Sequence, residues 1–271
     1  MFAHERQERI AALTARQGQV SVQELAQLLD VTQETVRRDL DQLESAGVLR
    51  RVHGGAISPE RLSLAEPSLD ERQSRNLEQK NRIAEAALAY IPASDSTDTA
   101  ATASSVSVIL DAGTTTELLA ARLAAPSFTL HRASLLAITN ALPIAYRLSS
   151  NPAWSVEILG GRIRGLTSAA VGSSVTHQLS GLRPDIAYIG ANGIHAEFGL
   201  STPDSLEAAV KTAMVTSARR VVALVDSSKL DQETLVRFAS LDQIDVLITD
   251  QTPGPSLTAA LKETGVDVVI A

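Results

Sequence analysis

Apolar residues recur at helical spacing three times within the first 46 positions. Residues 5–16 place Ile10 and Leu13 on one face, and Gly18 stops the pattern as a glycine just past a helix end does. Leu25, Leu28 and Leu29 form an i, i+3, i+4 face, and Ser21 stands three positions before Glu24, the spacing of a capping box. After a brief Asp30-Val31 turn, Thr32 is placed as an N-cap. Val36, Leu40 and Leu43 then make the buried side of a third helix, which Gly47 ends. Two short helices across a turn of about three to four residues predict a helix-turn-helix, whose second helix enters the major groove of DNA. The exposed side of that helix carries Gln33, Glu34, Thr35, Arg37, Arg38 and Gln42. Arginine pairs bidentately with guanine and glutamine with adenine, so this face can read bases. Next, Val48 to Ala56 alternates apolar and polar positions around Gly54-Gly55, which predicts a small hairpin or wing. Its Arg50, Arg51 and His53 suit phosphate contacts, which fix register without reading sequence.

The pattern changes after residue 58. Residues 59–76, with Pro59, Pro67 and mixed charge, read as a linker, although a helical pattern begins at about Leu69. Ile83, Ala87 and Leu88 give that helix an apolar side up to Ile91-Pro92. Pro92 to Ser105 is nearly all Ala, Ser, Thr and Asp, too poor in apolar residues to pack, and reads as a mobile loop. Beyond it lie strand candidates Val106–Leu110, Leu135–Ile138, Val156–Leu159, Ile186–Ile189, Val221–Val225, Val246–Ile248 and Val266–Ile270. Helices such as Thr115–Leu123, Leu142–Leu148 and Ser205–Arg219 alternate with them. Near-continuous apolar strands between helices predict an α/β domain with a mostly parallel sheet covered on both faces.

In such sheets ligands bind outside the C-terminal ends of the strands. Four of those ends carry suggestive chemistry. Asp111-Ala112-Gly113-Thr114-Thr115-Thr116 joins a strand to a helix, where exposed N–H groups, the helix dipole and three hydroxyls favour an anion. No Gly-Lys-Ser/Thr follows, so a nucleoside triphosphate is not implied. The other three are Thr139-Asn140, Gly190-Ala191-Asn192-Gly193 and Asp226-Ser227-Ser228-Lys229. Glu207 and Lys211 stand four apart on the helix after Thr202-Pro203-Asp204. A capped helix, a plain turn and an ordinary surface ion pair are the bland alternatives for these stretches. The chain has only four lysines against 20 arginines, and two of them, Lys211 and Lys229, fall at or near strand ends.

Charge alone points the other way. The net charge of −7 argues against a nucleic-acid partner, since such domains usually show a basic face. Residues 1–58 hold seven Arg against eight acids, whereas the remainder nets −6, so the acidity belongs mostly to the second region. Arg37, Arg38, Asp39 and Asp41 could be no more than the solvated side of an amphipathic helix. The conjunction of helix spacing, Thr cap and two arginine pairs outweighs that alternative. Absence of cysteine removes thiol catalysis, thiolate metal sites and disulfides, and no pattern calls for a metal or cofactor. The charged N-terminus and the lack of any apolar run near ~18–20 residues predict a cytoplasmic protein away from membranes.

Gln19 to Ala26, Thr35 to Glu44 and Leu49 to Ala56 closely resemble the DeoR-type repressor family. The resemblance implies a winged helix-turn-helix DNA-binding domain over residues 3–58, with the helix-turn-helix at 20–39, a linker at 59–76 and a sensor domain at 77–271. Asp111–Thr116, Thr139-Asn140, Gly160-Gly161, Gly190–Gly193, Glu207–Met214, Asp226–Lys229 and Ile248-Thr249-Asp250 resemble the sensor of the same family, whose fold is similar to ribose-5-phosphate isomerase and coenzyme A transferases. By that resemblance Gly113, Thr114, Thr115 and Thr116 hold a phosphate. Asp111, Thr139, Asn140, Asn192, Gly193, Glu207, Lys211 and Lys229 surround the rest of a phosphorylated sugar. The expected function is an operator-binding repressor of a sugar-utilisation operon, acting as a homo-oligomer (dimer or tetramer) and released by its effector. Gly199 to Asp204 with Glu207 to Lys211 looks most like the fructose-operon branch, which favours a fructose phosphate. The alternative is a sugar-phosphate isomerase, in which Asp111, Glu207 and Lys211 would supply acid and base. The loop at 92–105 and the stretch Phe128 to Leu136 are longer than the family pattern, and both flank the proposed site.

Overall fold

The spacing of Ser21 and Glu24 does form a capping box: Glu24 N donates to Ser21 Oγ (3.1 Å), and Ser21 N donates back to the Glu24 carboxylate (3.3 Å). In the computed structural model, residues 3–17, 19–45, 48–52, 54–57, 69–91, 106–125, 128, 135–152 and 154–271 are described. The chain divides into two units, Met1–Glu66 and Pro67–Ala271. The first contains α1 (Ala3–Gln17), β1 (Gln19–Ser21), α2 (Val22–Leu29), α3 (Gln33–Ser45), β2 (Arg50–Val52) and β3 (Gly55–Ile57). Asp30, in the left-handed region at φ 52°, ends α2, and the Thr32 hydroxyl accepts from Thr35 N (3.2 Å) to head α3. Ile10, Val20, Leu25, Leu29, Val36 and Leu40 form the shared core.

The wing has a third strand that the periodicity does not announce. β1 pairs antiparallel with β3, and β3 with β2, with Val20 opposite Ala56. That approach requires Gly55, where a Cβ would lie 2.1 Å from the Val20 carbonyl oxygen; Gly54 turns the hairpin at φ 81°.

The second unit opens with α4 (Leu69–Ser74) and α5 (Leu77–Ala87), separated by a sharp corner at Asn76, whose φ is 54°. There follow β4 (Val106–Leu110), α6 (Thr114–Leu123), β5 (Leu135–Thr139), α7 (Leu142–Ser149) and β6 (Trp154–Ile158). Next come the hairpin β7 (Arg162–Arg164) and β8 (Ala169–Val171), then α8 (Ser173–Ser180), β9 (Ile186–Gly190), β10 (Gly193–His195) and β11 (Gly199–Thr202). The chain finishes with α9 (Ser205–Ser217), β12 (Val221–Leu224), β13 (Val236–Ala239), β14 (Val246–Thr249), α10 (Pro255–Glu263) and β15 (Asp267–Ile270). All seven apolar runs lie in one parallel sheet of order β15-β14-β12-β9-β4-β5-β6, and a small antiparallel sheet β10-β11-β13 stands apart.

Both faces of the large sheet are covered, which is why its strands read as apolar runs. Val108 and Leu110 pack with α5, α6 and α7 residues such as Ile83, Leu119 and Ile144, while Ile109 points to the opposite core with Val175, Met214 and Leu257. The chain starts at β4, runs outward through β5 and β6, then returns to β9 on the other side of β4 and runs outward through β12, β14 and β15. The order therefore reverses between β4 and β9, the place at which open α/β sheets bind ligands. Among the described residues no helix is long and apolar enough to cross a membrane. The 92–105 loop and most of the 128–136 stretch lie outside the described residues.

Candidate functional site

Asp111 directly follows β4 and Gly190 ends β9, so the two flank the reversal point. The Asp111 carboxylate accepts from Gly190 N (3.0 Å) and from the Lys211 ammonium, and Lys211 also donates to the Gly190 carbonyl (3.0 Å). Both side chains are almost sealed from water. Burial pushes the Asp111 carboxyl up from its ordinary value, against the pull of the Lys211 charge and the Gly190 N–H. Lys211 Nζ also stands 5.5 Å from the Phe238 ring centroid. The end of β4, the end of β9 and α9 are thereby fastened together.

Beside this clamp begins α6. Ala112 N donates to Asn140 Oδ1 (3.2 Å), and the Thr116 hydroxyl turns back to the carbonyls of Asp111 (2.6 Å) and Gly113 (2.7 Å). Gly113 occupies the N-cap and offers no side chain to close it. Among the described residues, the N–H groups of Gly113, Thr114, Thr115 and Thr116 and the hydroxyls of Thr114 and Thr115 have no hydrogen-bond partner. Four N–H groups and two hydroxyls at the positive end of a helix form a cradle that can hold an anion. A side chain at Gly113 would crowd it, since a Cβ there would lie 3.2 Å from Thr116 Oγ1.

The other sequence-derived residues divide by what their polar atoms do. Thr139 lies beside the cradle with its hydroxyl engaged by Leu110 O (2.6 Å) and Ala141 N (3.0 Å). Asn140 ties the β4 turn to β8, its Nδ2 donating to Ala170 O (3.0 Å). Both act on backbone. Asn192, just past β9, accepts from the Thr202 hydroxyl (3.1 Å), and Gly193 backs onto Gln232, whose carbonyl oxygen a Cβ would meet at 2.5 Å. Glu207 is buried on the first turn of α9 and accepts from Thr167 Oγ1 (2.5 Å) and Arg164 (3.3 Å). Lys229 lies two strands along from Asp111, past β12, and pairs with Asp226 at 3.4 Å. Burial raises Asp226, but Lys229, the Ser228 hydroxyl, Asn76 and Lys80 hold its carboxyl down at about 2.

Several residues that surround this face escaped the sequence reading. The β7–β8 hairpin brings Arg164, held by Asp204 (3.4 Å) and Glu207 (3.3 Å), and Thr167. From α4 come Arg72, which donates to Leu166 O in the hairpin turn (2.8 Å), and Gln73, which donates to Glu117 of α6 (3.2 Å). Asn76 donates to Asp226 (3.0 Å). Lys80 is buried beneath the corner, donating to the carbonyls of Arg72 and Arg75 (2.7 Å to the latter); burial first, then the Lys229 charge, lowers its ammonium to about 8. The left-handed break at Asn76 is the one local signal, and the helical pattern from Leu69 hides it.

In the first unit, Gln33, Arg37 and Arg38 project from α3 to solvent, and the Thr35 hydroxyl lies 2.9 Å from that of Thr32. Arg37 and Arg38 each approach Glu34 at 3.6 Å. Asp39, next in sequence, is buried and accepts from Arg6 (2.5 Å) and Gln7 (3.1 Å), tying α1 to α3. Arg50 and Arg51 lie on β2, where the backbone alone is described, and His53 lies outside the described residues.

Comparison with known proteins gives a consistent result. The DeoR-like helix-turn-helix domain matches residues 6–61, and the DeoR C-terminal sensor domain matches residues 75–251. The chain is 33% identical to the HTH-type transcriptional regulator GlpR of Haloferax volcanii, over 99% of this chain and 98% of that one. It is 32% identical to the glycerol-3-phosphate regulon repressor of Haemophilus influenzae, over 92% and 89%. A solved D-ribose-5-phosphate isomerase in complex with phospho-erythronic acid aligns at 15% identity and a TM-score of 0.38, over 57% of this chain and 55% of that one. That likeness is too distant to carry weight.

Proposed function

The chain belongs to the DeoR family, and from that premise we propose that it represses a sugar-utilisation operon and leaves its operator when a phosphorylated sugar, a fructose phosphate before others, binds the second unit. The observation that carries the effector side is the open α6 N-terminus beside the Asp111–Lys211 clamp at the reversal point of the sheet. In this reading Gly113, Thr114, Thr115 and Thr116 hold the phosphate. Asp111, Asn192, Glu207, Lys211 and Lys229 face the sugar or its periphery, while Thr139, Asn140 and Gly193 shape the backbone around it. The name of the Haemophilus influenzae relative, which refers to a phosphate ester, fits an effector of this class. The preference for fructose rests on Gly199 to Asp204 and the Glu207-to-Lys211 spacing.

On the DNA side, Gln33, Thr35, Arg37 and Arg38 meet base edges, and Arg50, Arg51 and His53 meet phosphates, within a DNA-binding domain at 3–58 joined by a linker to a sensor at 77–271. The working unit is a homo-oligomer reading paired half-sites. Release requires that the effector bind one conformation better than the other, because equal affinity shifts nothing. An isomerase would need Asp111 and Lys211 to exchange protons with substrate. They are instead locked to each other and to the Gly190 backbone, and the relatives above are named as regulators.

A thermal-shift panel tests the effector reading. Fructose 1-phosphate or fructose 6-phosphate is expected to raise the melting temperature of the full chain while fructose leaves it unchanged. Equal shifts with fructose and its phosphates would contradict the cradle.

A further inference from the structure

We infer that β15 is the surface through which two copies of this chain pair, edge to edge across a two-fold axis at Val269, so that two seven-stranded sheets become one. This rests on the homo-oligomer reading above and deepens it by naming the surface and its register.

β15 closes one side of the large sheet, and among the described residues no strand pairs with its outer edge. Asp267 N donates to Asp245 O (3.0 Å) and Ala271 N to Thr249 O (2.8 Å), so these positions turn their backbone groups inward to β14. With the two-residue period of a strand, Val268 and Ile270 turn theirs outward. The Val268 and Ile270 side chains are exposed, on the sheet face opposite Val269, which packs against the core that holds Ile83 and Leu119. An unpaired edge is a template for another strand, and proteins that avoid such pairing guard the edge with charge, proline or a bulge. β6, at the other side of the sheet, holds Glu157 within it, whereas only Val269 lies between Val268 and Ile270.

A second copy is the partner that satisfies this edge without remainder. In an antiparallel pair centred on Val269, Val268 faces Ile270 of the second copy and Ile270 faces its Val268. Each of these pairs exchanges two bonds, so every outward N–H and carbonyl of both residues is used. The same pairs bring the exposed apolar side chains together on one face of the sheet. The one charge on the strand, Asp267, stands at its start. The two copies of Asp267 then lie four residues apart, roughly 14 Å along the strands at about 3.4 Å per residue, where salt screens their repulsion. Moving the axis to Val268 would ask for the Val266 N–H, which Leu261 O already holds (2.9 Å). The chain's own hydrogen bonds thereby favour the register at Val269. A pairing of one surface with itself stops at two copies.

The chain contains no cysteine, so single-cysteine variants of the full chain report the register. Across the axis the two Val269 Cα atoms stand about 4.5 Å apart, the spacing of a non-hydrogen-bonded pair, which a disulfide spans. The two copies of Val268, or of Ile270, lie about 7–8 Å apart, beyond its reach. With oxidised glutathione, Val269→Cys gives a disulfide-linked dimer on a non-reducing gel about tenfold or more faster than Val268→Cys or Ile270→Cys. In sedimentation the native chain associates, and Val268→Pro dissociates about tenfold or more readily, because proline removes an outward N–H and none of the bonds to β14. Val268→Ala, which keeps that N–H, loses less. Equal cross-linking rates in the three cysteine variants, or association of Val268→Pro as tight as that of the native chain, overturns the edge pairing and leaves a homo-oligomer built elsewhere. A native chain that sediments as a monomer at every concentration overturns both. The cysteine comparison decides the matter even if Val268→Pro folds poorly.

Discussion

On α3, Arg37 and Arg38 each stand 3.6 Å from Glu34, with side chains 48%, 79% and 62% exposed respectively. At the end of β4, Lys211 grips Asp111 with side chains 6% and 2% exposed. The partners are similar ions, yet the surroundings give them opposite uses. Exposed pairs one helical turn apart contribute about 0.3–0.5 kcal/mol, so the Glu34 pairs break at little cost. A buried pair contributes little net stability but cannot lose one member without stranding the other in a medium that solvates it poorly. In the proposed function, the surface that exchanges partners is built from the first kind. In the same proposal, the frame that holds still around the effector is built from the second.

The largest expected effect follows from breaking that frame. Lys211→Ala leaves the Asp111 carboxylate buried beside Gly190 without its cation and should destabilise the sensor unit by about 3–5 kcal/mol, read from urea unfolding. A loss within about 0.5 kcal/mol would mean that the pair is exchangeable like those on α3. The same contrast recurs between two adjacent residues of α3. Asp39→Ala breaks the bonds to Arg6 and Gln7 and should lower stability by about 1.5–3 kcal/mol. Arg38→Ala should leave the melting temperature unchanged and abolish specific operator binding in a footprint, for a loss of about 1–3 kcal/mol per base contact. An intact footprint with Arg38→Ala would remove α3 from base reading.

How much of this was legible in the sequence depended on whether an element's reason lies nearby. The seven parallel strands read clearly because burial on both faces makes each an apolar run, and α2 because Ser21 and Glu24 cap it within four residues. β1 did not, since its three residues exist as a strand only through Gly55–Ile57, more than thirty positions away. β7, β8, β10 and β11 are three or four residues long, too short to show alternation. Asp111, Lys211 and the α6 turn were visible as chemistry at a strand end. That Asp111 and Lys211 bind each other across 100 positions was not. Arg72, Gln73 and Asn76 look in sequence like the solvated side of a charged helix, and the bonds they make to the hairpin, to α6 and to Asp226 join segments far apart in the chain. Net charge misled because it averages over both units; the position of each charge was the informative quantity.

A smaller effect probes the far end of the face. Asp226, held at about 2 in the folded chain against an ordinary carboxyl near 4, is stabilising above its unfolded value. That contribution is lost as pH falls from about 4 through about 2. Urea unfolding of the native chain should therefore weaken across that window more steeply than that of Asp226→Asn. Parallel curves would show that Lys229, Asn76 and Lys80 do not bear on its charge.

The central claim is that a phosphate ester at the α6 N-terminus lowers operator affinity. Fluorescence anisotropy of the full chain on operator DNA, titrated with fructose 1-phosphate, tests it most directly when the native chain is set beside Thr115→Val. Both chains are expected to bind the operator equally, the native chain to be released by the sugar phosphate but not by fructose, and Thr115→Val to need about tenfold more of it. Identical release curves for the two chains, or release by fructose alone, would contradict it.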